Sequence, residues 1–373
     1  MITNMRLKNF TVFKDMSIDF SSKINVIIGE NGTGKSHLLK AAYSLCSASN
    51  GLNSLAVVSE NAIKRAVTNK LLNVFLPPDR KLGKMRKIGV AEDASMRARF
   101  VFDKEIALKF RSNSKSVTFE ESKDYEHYSW NPIFIPTKEV LTFLRGFGSN
   151  EINTSILKLI FDETYCDLAA KLLIDTGQEP REKEEWLLES LANKMGGRFS
   201  LNAGEMSFQP GTYIEYADGK AKNGKLTYFS PQRKDVFSPH MMAEGFRKFG
   251  VLQRLLQNSS LVPGVSGPLF WDEPESNLNP KLMKLLVQIL LELSRNGQQI
   301  ILATHDYVLL KWFDLLMDKG KDDHVFFHVL KQSDSGVRVE TTDSYQAIPE
   351  NAIASTYSDL YDAEIKRSLG TKR

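Results

Sequence analysis

A glycine-rich segment near the start of the chain is the strongest constraint that the sequence offers. It reads GENGTGKS at residues 29–36 and fits the phosphate-binding pattern G-x-x-x-x-G-K-[ST]. An apolar run at residues 24–28 enters the segment, and residues 36–47 follow with apolar side chains at helical spacing. A glycine loop between a buried strand and a helix turns backbone N–H groups toward a phosphate and adds the positive end of the helix dipole. The segment therefore predicts an α/β core with a nucleotide-phosphate site.

A second motif, LFWDEPE at residues 269–275, ends an apolar run with acidic side chains. Asp272 ends the predicted strand, where a carboxylate can hold Mg²⁺, and Glu273 points elsewhere, in a position to polarise an attacking water. His305 follows another apolar run, residues 300–303, which would deliver it beside the terminal phosphate. We expect it to hydrogen-bond that phosphate or the water and not to bind metal. The three segments together predict ATP hydrolysis.

The loop residues have separate expected roles. Lys35 would reach the β- and γ-phosphates, and the Ser36 hydroxyl would bind Mg²⁺ together with Asp272. The residues of this segment predicted to contact the nucleotide are Gly29, Asn31, Gly32, Thr33, Gly34, Lys35, Ser36 and His37.

Composition excludes several classes of protein. The chain has 373 residues, of which 42% are apolar and 25% charged, and this is ordinary for a globular protein. It has neither a continuous apolar run of membrane-spanning length nor a signal-peptide pattern. Cys46 and Cys166 are too few for a disulfide framework or a zinc site, so we expect a cytoplasmic protein. The net charge of +4 does not by itself indicate nucleic acid.

Periodicity predicts the organisation of the rest. Residues 5–20 read as a β-hairpin, and residues 182–195 as an amphipathic helix ended by two glycines. Ser238 and Pro239 are expected to open a further helix. We predict a mixed-sheet α/β core with an N-terminal antiparallel part and an inserted helical lobe. The expected boundaries are residues 1–137 with 260–345 for the core, 138–259 for the lobe and 346–373 for a C-terminal tail helix.

The motifs resemble those of ABC-type ATPases of the branch that includes RecF, the heads of SMC proteins and OLD-like ATPases, which are often described as AAA-family ATP-binding proteins. The similarity lies in INVIIGENGTGKSHLL at residues 24–39, LFWDEPESNLNPKL at residues 269–282 and ILATHD at residues 301–306. It implies a P-loop fold of ABC type and a homodimer, or a higher oligomer built from dimers, that encloses ATP and Mg²⁺. It also suggests a bacterial defence or toxin–antitoxin setting, with a separate effector protein as partner.

The resemblance assigns partner-facing residues as well. Ser276 and Asn279 match the D-loop, which crosses the dimer interface in that branch. The usual signature, Leu-Ser-Gly-Gly-Gln, is absent, and residues 242–248 are the best match in position. Their serine is missing, so contact with the partner's nucleotide is expected from residues in this stretch, namely Glu244, Gly245 and Lys248, with Arg247 as a further candidate. The alternative is that Arg247 and Lys248 are solvated helix charges.

Two assignments stay open at this level. Lys138 or Glu139 would replace the Q-loop glutamine, a position favoured because it directly precedes the helical lobe, and Gln232 is the rival. Residues 10–13 either approach the adenine or belong to the core.

Three functions fit the sequence. The first is an ATP-driven switch that controls a separate effector. The second is a RecF-like ATPase that binds DNA, for which the basic cluster at residues 80–87 is the motive, although such a run is more often a solvated loop. The third is a nucleotide-binding scaffold with little turnover, because the signature is altered. The chain carries no permease half, long coiled coil or Toprim pattern, so we expect a compact ATPase head.

Overall fold

A computed structural model of the chain describes residues 1–50, 52, 58–127, 131–144, 154–175, 182–202, 204–216, 226–232, 235–334, 336–349 and 352–369. The chain divides into two compact units. The first comprises Met1–Phe134, Pro263–Glu275 and Pro280–Arg373, and the second Ile135–Val262 and Ser276–Asn279. The domain boundaries expected from the sequence stay predictions. Within the described residues, no helix combines the length and the apolar character needed to cross a membrane.

A six-stranded mixed sheet forms the centre of the first unit, in the order β14-β13-β3-β12-β11-β7. Strands β3, β11, β12 and β13 run parallel to their neighbours among these four, whereas β14 is antiparallel to β13. The strands are β3 (Ile24–Gly29), β7 (Ile133–Ile135), β11 (Leu269–Asp272), β12 (Ile300–Thr304), β13 (Val325–Ser333) and β14 (Gly336–Thr342). Every residue of β3, β11 and β12 is buried, which agrees with their largely apolar sequences. The predicted α/β fold with a mixed sheet is confirmed.

An antiparallel sheet occupies the N-terminal part of the first unit, in the order β2-β1-β4-β5-β6. Its strands are β1 (Ile2–Phe10), β2 (Phe13–Asp19), β4 (Ala94–Phe100), β5 (Lys104–Phe110) and β6 (Thr118–Lys123). The alternation of β1 buries Met5 and Leu7 and exposes Arg6 and Lys8, so one face of the strand packs on the core. The predicted hairpin is confirmed by the pairing of β1 with β2.

The described residues of the first unit form five helices: α1 (Lys35–Ser47), α2 (Glu60–Phe75), α7 (Pro280–Arg295), α8 (Tyr307–Leu316) and α9 (Ala352–Ser368). Ser59 caps α2 by accepting the Ala62 N–H, and Asp306 caps α8 by accepting the Leu309 N–H. Gly297, at φ 93°, follows the last turn of α7, as expected of a helix-ending glycine.

The second unit combines helices with a small antiparallel sheet in the order β10-β9-β8. Its elements are α3 (Thr154–Ile160), α4 (Glu163–Leu172), α5 (Glu182–Met195), β8 (Gly197–Asn202), β9 (Glu205–Tyr216), β10 (Leu226–Pro231) and α6 (Glu244–Gln257). Helix α5 has the bounds that the sequence predicted. The guanidinium of Arg254 in α6 donates to the carbonyls of Leu172 and Ile174 and so satisfies acceptors at the end of α4 and just after it.

One helix start was predicted wrongly. Ser238 and Pro239 open a short 3₁₀ turn, Pro239–Met241, in which the Ser238 hydroxyl accepts the His240 N–H. Met242 then returns to an extended backbone, at φ −97° and ψ 147°, which interrupts helical geometry. Helix α6 therefore begins at Glu244, with Ala243 as its N-cap.

The aromatic residues of the first hairpin belong to the core. Phe10 and Phe13 are fully buried. Phe10 packs edge-on against Phe75 and Phe110, with ring centroids 5.4 and 6.4 Å away. Of the two alternatives that the sequence left open for residues 10–13, the structure supports the core.

Candidate active site

The sheet brings the three predicted motifs to one edge. Strand β12 lies between β3 and β11, and all three are parallel. Asp272 stands level with Ala303, and Thr304 with Ile28, so the residues that come after these strands emerge together. The carboxyl ends of parallel strands are where open α/β sheets bind their ligands.

The glycine loop has a backbone that its sequence makes possible. Gly32 and Gly34 adopt left-handed conformations, at φ 86° and 91°. A Cβ on Gly34 would lie 2.6 Å from Val12 Cγ2 and 2.7 Å from Phe13 Cζ, whereas a Cβ on Gly32 would have no described neighbour within 4 Å. Gly34 directly precedes α1, so its lack of a side chain sets both the turn and the packing at the helix start.

Lys35 lies against the backbone of the glycine loop and near the acidic residues of the second motif. Its ammonium donates to the carbonyls of Gly29 at 2.6 Å and Glu30 at 3.1 Å. Burial lowers the pKa of this amine, and the nearby carboxylates of Glu273, Asp272 and Glu275 oppose that shift. A cation from the glycine loop and the acids at the end of β11 and after it therefore share one electrostatic environment.

The remaining loop residues differ in exposure. Asn31, Gly32 and His37 are exposed or partly exposed, and Ser36 is half-buried. Thr33 is buried, and its hydroxyl donates to the Glu30 carbonyl at 2.8 Å. The ring of His37 packs near that of Phe75, with centroids 5.8 Å apart. The nucleotide contacts expected of Gly29 and of residues 31–37 stay predictions.

Glu273 and His305 meet directly. The His305 Nδ1 atom lies 3.1 Å from Glu273 Oε1, and the His305 side chain is 52% exposed. Glu273 has a left-handed backbone, at φ 49°, and its N–H donates to the Ala303 carbonyl at 2.9 Å. A non-glycine residue held in this conformation at a strand end is typical of functional sites. The chain thus turns at Glu273 so that its carboxylate faces the imidazole and not the core.

The donor chemistry fits a magnesium ion. Asp272 is buried at the end of β11, and Ser36 lies in the first turn of α1. A carboxylate and a hydroxyl are hard oxygen ligands, which Mg²⁺ prefers, and this cation usually binds through one or two protein groups plus substrate phosphates. Both residues therefore stay predicted ligands of Mg²⁺.

Sequence reasoning missed one residue here. Glu275 is 6% exposed, and its Oε1 atom accepts from Thr304 Oγ1 at 2.6 Å and from the His305 N–H at 3.2 Å. Burial raises the pKa of this carboxyl, and the two hydrogen bonds oppose the shift. The acidic residue after Pro274 was visible in the sequence, but its partners lie 29 and 30 positions away.

The D-loop and the signature-like stretch meet within the second unit. The Asn277 side chain donates to Glu244 Oε1 at 2.9 Å. A Cβ on Gly245 would lie 3.1 Å from Leu278 Cδ1, which shows how closely the first turn of α6 approaches residues 276–279. The structure therefore brings Glu244 and Gly245 beside the segment that contains Ser276 and Asn279.

Arg247 and Lys248 are not solvated helix charges. Lys248 is 2% exposed. Arg247 Nε forms an ion pair with Glu139 Oε1 at 2.9 Å, and its Nη1 donates to the Met242 carbonyl. The roles of Glu244, Gly245 and Lys248 toward a partner's nucleotide, and those of Ser276 and Asn279, stay predictions.

The two Q-loop candidates have different surroundings. Glu139 is buried, and besides its ion pair it accepts from Thr142 Oγ1 at 2.6 Å. Lys138 and Gln232 are exposed. The assignment of Lys138 and Glu139 to nucleotide sensing stays a prediction.

Two family models match adjoining parts of the chain. One, described as an AAA ATPase domain, covers residues 1–163, and the other, described as an AAA domain with putative AbiEii toxin of a type IV toxin–antitoxin system, covers residues 166–311. Both models describe AAA domains, so the chain is similar to AAA ATPase domains over most of its length. This similarity implies nucleotide binding, for which the glycine loop stays the predicted site.

Curated relatives match this chain over short segments. The DNA replication and repair protein RecF of Bacillus cytotoxicus is 45% identical over 47 residues, which are 13% of each chain. The ATP/GTP phosphatase of Helicobacter pylori is 51% identical over 45 residues, which are 12% of each chain. The match thus spans about an eighth of the length of these relatives.

A solved structure matches over most of the chain. The crystal structure of an SMC head bound to the C-winged helix domain of ScpA aligns with a TM-score of 0.52 and 13% identity. The alignment covers 94% of this chain and 99% of the SMC head. At this identity the likeness establishes a shared fold.

Proposed function

We propose that this protein hydrolyses ATP and acts as a molecular switch. It would close as a dimer around ATP and Mg²⁺, reopen after hydrolysis and thereby control a separate effector protein. The observation that carries the proposal is the contact between Glu273 and His305, 3.1 Å apart, at the ends of strands that share one sheet with the strand of the glycine loop. A general base oriented by an imidazole beside a phosphate-binding loop suits hydrolysis better than passive binding.

The protein groups divide the work between binding and proton transfer. Backbone N–H groups of residues 29–36 and the N-terminus of α1 would hold the phosphates. Lys35 would exchange its two carbonyl acceptors for phosphate oxygens, which are stronger partners for an ammonium group. Bound Mg²⁺ would supply positive charge that neutralises the phosphate oxygens, with Ser36 and Asp272 as its protein ligands.

Glu273 would orient the attacking water and accept its proton. If the His305 Nδ1–H donates to Glu273, a neutral imidazole keeps Nε2 as an acceptor for water, whereas an imidazolium offers a second donor to a phosphate oxygen. Both arrangements place His305 in contact with the reacting groups. They give it one of the two roles expected from the sequence.

The proposed dimer would use the D-loop and the first turn of α6 at its interface. Asn277 links the D-loop to Glu244, so a movement of the D-loop at an interface would be transmitted to the first turn of α6. Gly245 offers a backbone N–H in place of the missing signature serine. A higher oligomer built from such dimers fits the same interface. One matching family is described as an AAA domain and putative toxin of a type IV toxin–antitoxin system, and this supports the toxin–antitoxin setting of the proposal.

Nucleotide-dependent mass measurement tests the dimer. Glu273→Gln should bind ATP without consuming it, so light scattering should show twice the protomer mass with Mg²⁺–ATP and the protomer mass with ADP. Lys35→Ala is the control, because it should stay at the protomer mass with both nucleotides. A mass that does not depend on nucleotide would contradict the switch.

Effector control needs a second measurement. Affinity purification of the tagged protein from its native cells, in the presence of ATP and then of ADP, should recover one partner protein whose yield differs between the nucleotides. Recovery of no specific partner would count against an effector.

DNA binding is the second candidate, favoured by the RecF identity and by basic residues such as Arg80 and Lys84 that are exposed. Part of the basic cluster is already engaged, because Arg86 donates to the Val90 carbonyl at 2.7 Å and Lys87 to the Val12 carbonyl at 2.9 Å. Fluorescence anisotropy with duplex and single-stranded DNA at low salt decides between the candidates. If neither DNA binds or changes ATP turnover, the DNA candidate fails.

A further inference from the structure

Glu275 is a buried acid that the reaction described above does not use. It comes two positions after Glu273, beyond the left-handed turn at Glu273 and the intervening Pro274. The two carboxylates contact different parts of His305. Glu273 lies 3.1 Å from the ring Nδ1. Glu275 accepts the main-chain N–H at 3.2 Å and lies 3.9 Å from Nδ1. One acid faces the ring and the other anchors the backbone.

We infer that Glu275 is a positioning residue, which fixes the backbone of His305 so that the imidazole meets Glu273. This inference deepens the proposed function and rests on it. The imidazole is half-exposed, so packing alone does not hold it in place. A fixed main-chain position for His305 therefore matters more here than it would for a buried imidazole.

The hydrogen bond from the His305 main chain to Glu275, here called the anchor, is part of a series of linked hydrogen bonds. Thr304 Oγ1 donates to Glu275 at 2.6 Å and in turn accepts the Asp306 N–H at 3.0 Å. The Asp306 carboxylate accepts the Leu309 N–H at 2.7 Å and caps α8. The turn between β12 and α8 is thus tied to the segment after β11 on one side and to a helix start on the other.

The location of the acid argues for a specific role. A carboxylate removed from water is costly unless it is hydrogen-bonded, so the donors that face Glu275 decide whether it is tolerated there. Glu275 Oε1 receives one hydroxyl and one N–H donor, both from the turn that carries His305. What it stabilises is therefore the geometry of that turn.

A double-mutant cycle tests the inference. Glu275→Ala should lower kcat for Mg²⁺–ATP on the order of 10- to 100-fold, because small misplacements of a catalytic group have effects of this size. ATP affinity should stay within roughly twofold. In a His305→Ala background, Glu275→Ala should lower kcat by no more than roughly twofold, because its effect passes through the imidazole. Equal fold-losses in both backgrounds would overturn the inference.

Conservative variants separate positioning from folding. Glu275→Gln keeps an acceptor oxygen for both donors and should recover most of the rate. If Glu275→Ala does not fold, Thr304→Val replaces it in the same cycle, with Thr304→Ser as the variant that keeps the hydroxyl. Loss of activity in Thr304→Ser equal to that in Thr304→Val would contradict the hydrogen-bonded anchor.

Failure of the anchor and failure of the proposed function give different results. Turnover by the unaltered protein that Glu273→Gln abolishes establishes, in the same assay, the hydrolysis on which the proposed function depends. If the unaltered protein has no turnover, the proposed function fails, and amide hydrogen exchange at His305 then tests the anchor. Faster exchange of that amide in Glu275→Ala supports the inference, and unchanged exchange overturns it.

Discussion

Gly34 shows how a single missing side chain shapes the phosphate-binding loop. Its backbone is left-handed, and the space where a Cβ would lie is taken by Val12 and Phe13. Gly32 has a similar backbone but open space around the same position. Substitutions at the two glycines therefore distinguish the free-energy cost of the left-handed backbone from the free-energy cost of packing a side chain.

Alanine at these positions should destabilise the protein unequally. Gly32→Ala should cost about 1–2 kcal/mol, because the left-handed conformation is unfavourable for an L-residue with a side chain. Gly34→Ala should cost about 1–3 kcal/mol more, because it also overpacks the contact with Val12 and Phe13. Chemical denaturation without nucleotide measures both, and equal losses would contradict the assigned packing.

Candidate site residues were predictable from the sequence where they belong to a short motif of consecutive residues. Asp272, Glu273 and His305 each lie at or just after the end of an apolar run, and parallel strands bring such positions to one edge. Glu275 could not be assigned in this way, because its partners Thr304 and His305 approach only after the strands have paired. A short motif shows which acids are present but not which donors will face them.

Helix α6 depends on an ion pair at its first turn. Arg247 and Glu139 have side chains that are 15% and 6% exposed, so both charges are largely removed from water. Removal of one partner leaves the other charge buried and unpaired, which is the expensive outcome for such pairs.

Breaking this pair should destabilise the second unit. Arg247→Met or Glu139→Gln alone should cost about 3 kcal/mol, and the double variant should cost less than the sum, because no buried charge is then left alone. Thermal unfolding measures each variant, and Lys138→Met, at the exposed neighbouring position, is the control. Additive losses would show that the two side chains do not interact.

Element starts were predicted less well than element types. The amphipathic pattern of α5 and the glycines after it indicate its bounds, so residues 182–195 were predicted as they are found. At Ser238 the same capping chemistry serves a 3₁₀ turn, because a serine before a proline suits the first turn of both helix types. The Met242 carbonyl accepts from the Arg247 side chain, a contact that the capping pattern at Ser238 does not indicate.

His328 connects strands of the mixed sheet through its side chain. Its ring nitrogens lie 2.8 Å from Thr341 Oγ1 and 3.2 Å from Asn25 Oδ1, and the residue is fully buried. Burial lowers the pKa of this imidazole to about 4, against a smaller opposing effect of Asp19. The folded protein therefore keeps the ring neutral through a range in which the unfolded chain would protonate it.

Acid should destabilise the whole first unit through this residue. The stability that neutral His328 contributes is complete above the unfolded pKa of about 6.5, and it declines as the pH falls toward 4, by roughly 3 kcal/mol in total. Denaturation at pH 7.5 and pH 5 measures the decline. His328→Asn, which does not titrate in this range, should show a smaller decline, and an identical one would contradict the assignment to His328.

The whole fold was predictable in class but not in strand order. The segments around residues 24–47, 269–295 and 300–304 specify an α/β core with a nucleotide site, and the structure has such a core. That β3 is flanked by β12 and β13, and that β12 separates it from β11, depends on long-range packing that no local pattern encodes.

The most direct test compares ATP hydrolysis by the unaltered protein with that of Glu273→Gln. The amide cannot accept the proton of the attacking water, so kcat should fall by on the order of 100-fold or more. The affinity for ATP should be retained, because Glu273 is not among the phosphate-binding groups. Equal rates of hydrolysis in the two proteins would contradict Glu273 as the base and would favour a nucleotide-binding scaffold with little turnover.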